Sequence, residues 1–94
     1  MTDELDDLRH RIDMLDEHLV RLLHARAACA VEIGRLKRAR GVPIYQPTRE
    51  AEVLAHVQGL TTGPLDADAV TRLFERIIDE ARHLERVADQ IERS

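Results

Sequence analysis

Arg26 is the residue that breaks the pattern of this sequence. Counting by sevens from Leu5 through Ile12 and Leu19, the next position is Arg26, and Ile33 follows it. A guanidinium in an apolar seam is costly unless an anion pairs with it, so Arg26 must meet either an acid on another helix or an anionic ligand. Lys37 lies about three helical turns further on, which returns it to nearly the same face, ~16 Å away along the axis. Two long cationic side chains leaning toward each other from these positions could grip one small dianion. The other reading pairs Arg26 with a protein carboxylate that sets the register of a helical assembly, and leaves Lys37 in solvent.

Three further places carry charge that could act. Arg9 precedes Arg26 by about 25 Å of helix and points to a different face, so one straight helix cannot bring both to a small ligand. An antiparallel pair of long helices from two protomers can; taken alone, Arg9 reads as a solvated residue. In Arg49-Glu50, Glu50 suits a helix N-terminus, whereas Arg49 opposes the macrodipole and is expected to meet a carboxylate or a ligand. Glu85 sits at the edge of an apolar stripe, between Ala81 and Ala88, where most glutamates are solvated. In a closed cavity, burial would favour its neutral acid, which can donate a hydrogen bond.

Other chemistries lack their residues. The five histidines have no close helical spacing for a metal pair, and Cys29 is the single cysteine. There is no Gly-rich phosphate loop and no nucleophile–base motif. No metal, cofactor or covalent intermediate is therefore expected. The net charge is −4 with both signs interspersed, and the locally basic run from Arg35 to Arg40 suits a small anion at most. Tyr45 and Phe74 are too few for base stacking, so nucleic acid is not an expected partner. No window approaches ~20 apolar residues and no apolar signal core opens the chain, which predicts a soluble, cytoplasmic protein without a membrane partner. One cysteine also fits a reducing compartment.

The elements that must position these residues are all helical. Leu5, Leu8, Ile12, Leu15, Leu19, Leu22, Cys29, Ile33 and Leu36 recur at alternating threes and fours. This predicts one helix from about residue 4 to 39, capped by Asp3 and ended by Gly41 and Pro43, roughly 50 Å long. So long a seam needs a partner from outside its own chain. A loop over 41–47 leads to a second helix from Pro47 to about Gln58, stopping at Gly59, with Val53, Leu54 and Val57 inward. Asp66 is expected to cap a third helix, with Val70, Leu73, Phe74, Ile77, Ile78, Ala81, Leu84, Ala88 and Ile91 as its apolar stripe. The reading is one all-α domain over 1–94, long, short and medium helix in order, forming an intertwined homodimer. No appended regulatory or catalytic domain is expected.

In Leu8-Arg9-His10-Arg11-Ile12-Asp13, Leu15-Asp16, Leu22-Leu23, Arg26 and Glu32-Ile33-Gly34-Arg35-Leu36-Lys37, the sequence resembles the all-helical class of chorismate mutases. Pro43-Ile44-Tyr45-Gln46-Pro47-Thr48-Arg49-Glu50 looks like that family's loop and second-helix start, and Leu73-Phe74 with Ile77-Ile78 like its third helix. The resemblance spans nearly the whole chain, in order. It implies the rearrangement of chorismate to prephenate, an intramolecular Claisen shift in phenylalanine and tyrosine biosynthesis that uses no cofactor. By the same resemblance, Arg26 binds a substrate carboxylate and Arg9 arrives from the opposite protomer. Lys37 stands near the ether oxygen and a carboxylate, Glu50 accepts from the ring hydroxyl, and Arg49 helps to order the site. The implied catalytic residues are thus Lys37, Glu85 and Arg26.

Three positions depart from the usual bacterial pattern. Glu85 stands where many members have a Gln that donates to the ether oxygen, so Glu85 is expected to act as the acid. Gln46 replaces a frequent Asp, leaving its side-chain role in the substrate site doubtful. Ala81 replaces a serine that can hold the ring carboxylate. Rival activities in the same fold are isochorismate-pyruvate lyase and 4-amino-4-deoxychorismate mutase; a non-enzymatic helical dimer is the rival outside catalysis. A separate enzyme of aromatic biosynthesis is a conceivable partner.

Overall fold

The protein folds into three helices, α1 (Glu4–Arg40), α2 (Pro47–Gln58) and α3 (Ala67–Arg93), in a computed structural model that describes residues 3–93. Their ends follow local chemistry. The extended Asp3 accepts from the Leu5 amide at 3.3 Å, and Glu4, Asp6 and Asp7 complement the positive end of the helix dipole. At the other end Gly41 has φ 66°, a left-handed conformation that glycine adopts without steric penalty. Its N–H donates to the Arg38 carbonyl at 3.2 Å, and the Val42 N–H donates to the Lys37 carbonyl at 2.8 Å. This is a Schellman ending, and it closes α1 one residue beyond the expected position. Pro47 opens α2, and Asp66 caps α3 by accepting from the Ala69 amide at 2.8 Å.

α3 is the hub. It packs against both α1 and α2, whereas α1 and α2 do not pack on each other among the described residues. The Gln58 side-chain amide donates to Thr71 Oγ1 at 2.7 Å, and that hydroxyl donates to the Ala67 carbonyl, tying the end of α2 to the start of α3. Ala30, Val57 and Ile78 are the buried apolar residues, joined by Gly34 and Glu85. Ala30 and Gly34 lie one turn apart on α1, and their small size lets α3 approach. A Cβ built at Gly34 would stand 3.2 Å from the Cα, Cβ and Cγ of Glu85. The helices thus meet tightly where Glu85 is held.

The apolar seam of α1 has no cover within the chain. Every described residue from 3 to 25 is exposed, and Leu8, Ile12, Leu15 and Leu19 each expose more than half of their surface. The chain exposes 7606 Å², against ~5,500 Å² for a compact monomer of this mass. Its radius of gyration is 17.1 Å, against about 12.4 Å for a compact domain of this length. Among the described residues, no helix is long and apolar enough to cross a membrane.

The Gly34–Glu85 contact leaves little room for an added methyl. Gly34→Ala is expected to destabilise the fold by about 1–2 kcal/mol, several degrees in a thermal melt. An unchanged melting temperature would mean that α3 has slack at this crossing.

Candidate active site

Arg26, Lys37, Gln46, Arg49, Glu50 and Glu85 line one cleft of about 470 Å³. Ala30 and Ile33 of α1, Ile44 of the loop, Val53 of α2, and Ile78 and Ala81 of α3 supply its apolar walls. The volume suits a small molecule, and polar groups on apolar walls are the usual make-up of a ligand site. α1 brings the first two cations, α2 brings Arg49 and Glu50, and α3 brings Glu85.

Lys37 is fixed from both ends. Its carbonyl accepts the Schellman bond from Val42, and its Nζ donates to the Ile44 carbonyl at 2.8 Å and to Glu85 Oε2 at 3.0 Å. The side chains of Lys37 and Glu85 are largely buried, so the reading that leaves Lys37 in solvent is wrong. The helix ending and the loop turn this ammonium inward, with one N–H beyond those two bonds. Glu85 is also not at a solvated edge. It is 8% exposed, pressed against Gly34, and it accepts from Lys37 rather than donating.

Arg26 differs from Lys37. It is half-buried on the cleft wall, and no carboxylate among the described residues pairs with it. Arg49 finds the acid that its position at a helix start demands, with Nη1 at 3.3 Å from Glu52 Oε2 in an exposed pair. Gln46 is the residue before α2 and caps nothing with its side chain. Arg9 stands apart from all of these. It is exposed on the uncovered half of α1, with only a loose 3.9 Å contact to Asp6.

Arg82 is the cleft residue that sequence reasoning missed. Its Nη2 donates to Glu50 Oε1 at 2.7 Å and its Nε to Glu50 Oε2 at 3.2 Å, a two-pronged clamp between α3 and α2. Nη2 also lies 3.4 Å from Asp79, and the guanidinium carbon sits 5.0 Å from the centre of the Tyr45 ring. The hydrogen bond to Glu50 raises the pKa of Arg82 further; burial opposes this, and the charges of Glu50 and Asp79 add to it. Its position was the available signal. Arg82 follows Ile78 by four residues and precedes Glu85 by three, which places it on the same stripe of α3.

With its carboxylates ionised, the cleft holds four cations (Arg26, Lys37, Arg49, Arg82) against Glu50 and Glu85. Lys37, Arg49 and Arg82 each meet a carboxylate, so Arg26 is the cleft cation without an acid partner among the described residues, in a site where apolar walls strengthen charge interactions. Such a cleft can bind and orient a small dianion and stabilise negative charge that develops on it. Among the described residues, no group of three or more His, Cys, Asp or Glu side chains is placed to hold a metal.

A sequence model of the chorismate mutase type II family matches residues 8–86. A bifunctional chorismate mutase/prephenate dehydratase of Stutzerimonas stutzeri is 43% identical over 88 residues, covering 88% of this chain and 24% of that protein. The protein of the same description from Escherichia coli K12 is 39% identical over 77 residues, covering 79% of this chain and 19% of its own length. The chain thus spans about a quarter or less of the curated relatives it matches. Among solved structures, chorismate mutase form II from Thermus thermophilus superposes with a TM-score of 0.87 at 33% identity, covering 89% of this chain and 96% of that one. Chorismate mutase from Helicobacter pylori, solved in complex with prephenate, superposes with a TM-score of 0.84 at 30% identity, covering 92% and 93%. With its three helices and its cleft, this chain belongs to the chorismate mutase type II family.

Proposed function

We propose that the cleft converts chorismate to prephenate, and that it does so in a homodimer. The observation that carries the reading is Arg26, without an acid partner, facing the same apolar-walled cleft as Lys37, an arrangement that suits a small anionic substrate. Family membership and the prephenate named with the Helicobacter pylori enzyme support it. Only the mutase activity is proposed for this chain.

In the rearrangement an ether C–O bond breaks while a C–C bond forms within one molecule, and no proton or electron is exchanged with the protein. The site's task is to hold the enolpyruvyl arm folded over the ring, which removes most of the entropy of reaching the transition state. Arg26, without an acid of its own, takes one substrate carboxylate. Lys37 faces the ether oxygen and the second carboxylate, where negative charge grows. Glu85, accepting from Lys37 Nζ at 3.0 Å, orients that ammonium toward the same oxygen. Glu50 accepts from the ring hydroxyl, and Arg49 borders that end of the cleft.

The homodimer is supported by the uncovered seam of α1 and by the ~2,100 Å² of exposed surface beyond that of a compact monomer. Antiparallel pairing of two α1 helices would bury Leu8, Ile12, Leu15 and Leu19. It would also carry Arg9 of one protomer toward Arg26 of the other. A soluble, reducing location is consistent with the single exposed cysteine.

Following chorismate loss and prephenate formation with purified protein tests the reading directly. Arg26→Ala and Lys37→Met are each expected to lower kcat/KM by at least about a hundredfold, with helical content and oligomeric state unchanged. Loss of assembly instead of activity would favour the structural role of Arg26. Glu85→Gln, whose amide oxygen can still accept from Lys37, is expected to retain more activity than Glu85→Ala; equal losses in the two variants would remove Glu85 as the group that orients Lys37. Sedimentation equilibrium should give twice the chain mass, and a monomer at micromolar concentration would refute the dimer.

A further inference from the structure

We propose that Arg82 determines specificity, selecting a neutral ring hydroxyl over a ring ammonium by neutralising Glu50. The inference rests on the reading of Glu50 as the acceptor for the ring substituent. Three elements converge on the guanidinium: Glu50 from α2 with bonds of 2.7 and 3.2 Å, Asp79 from α3 at 3.4 Å, and the Tyr45 ring of the loop at 5.0 Å. About a quarter of each side chain, Arg82 and Glu50, is exposed. This is more geometry than a solvated ion pair needs. A two-pronged fork with its cation over an aromatic face is held in one orientation.

The chemical consequence follows from charge. A carboxylate facing the cleft alone would attract a cationic amine much more strongly than a hydroxyl, because amines carry a proton near neutral pH. Clamped by Arg82 at 2.7 Å, Glu50 has its charge largely offset within the cleft, while Asp79, the other acid on this guanidinium, is exposed to solvent. Each carboxylate oxygen accepts one bond from the guanidinium and keeps a lone pair, which suffices for a hydroxyl donor. An ammonium would meet the same lone pairs with a guanidinium directly behind them. The pair thus binds the hydroxyl and removes the electrostatic reward for the amine.

Two substrates that differ only at this ring position, chorismate and 4-amino-4-deoxychorismate, read the effect through the ratio of their kcat/KM values. Arg82→Gln keeps a donor to Glu50 but removes the charge. It is expected to shift the ratio toward the amine by at least about tenfold, whereas Arg82→Lys, which keeps the charge, should stay near wild type. Glu50→Gln leaves the guanidinium opposed only by the exposed Asp79 and should move the ratio further toward chorismate, a test that does not depend on folding of the Arg82 variants. Equal losses on both substrates in Arg82→Gln, or the same ratio for Gln and Lys at position 82, would overturn the proposal. Turnover of neither substrate by the wild-type protein would instead remove the functional reading, and this inference with it.

Discussion

Uncompensated positive charge inside an apolar cleft is the constraint around which this fold is organised. A buried guanidinium or ammonium is unfavourable unless something anionic or polar meets it. Lys37 illustrates how the chain manages the problem. The Schellman ending at Gly41, the turn of the loop to Ile44 and the close α1–α3 crossing at Gly34 together give the ammonium a carbonyl and a carboxylate. Arg26 has no acid partner among the described residues. In the proposed function its unpaired charge is the part that meets the substrate.

Assembly and chemistry are coupled through the length of α1. Thirty-seven residues of helix reach far beyond what α2 and α3 can cover. Its N-terminal half therefore presents both the apolar seam and Arg9 to the outside, where a second copy can bury one and use the other. The same helix carries Arg26 and Lys37 on its covered half. In the proposed dimer a single element would hold the interface at one end and two cleft cations at the other, so that a shift in the pairing of two copies would shift the cleft as well.

Much of this was legible in the sequence because it rests on local rules. Heptad spacing, the Asp3 and Asp66 caps, the Gly41 ending and Pro47 at a helix start are short-range signals, and the three helices follow them within one or two residues. The convergence of Arg26 and Lys37 on one side of α1 followed from helical periodicity. What was not legible depends on contacts across helices. Glu85 reads as an edge residue on its own helix, and only the glycine opposite it on α1 makes it buried. Arg82 was overlooked because a cation in a basic-and-acidic helix reads as surface. Its partner Glu50 has a sufficient local explanation in the helix dipole, so the sequence carries no signal for the pair.

The central claim, that cations from two copies meet around one dianion, is tested most directly by complementation. Arg9→Ala and Arg26→Ala should each be nearly inactive alone. After unfolding and refolding together in equal amounts, half of the dimers are mixed, and each mixed dimer holds one site with both arginines and one with neither. The account predicts recovery of about a quarter of wild-type activity in that mixture. Activity no higher than that of the separate variants would contradict it.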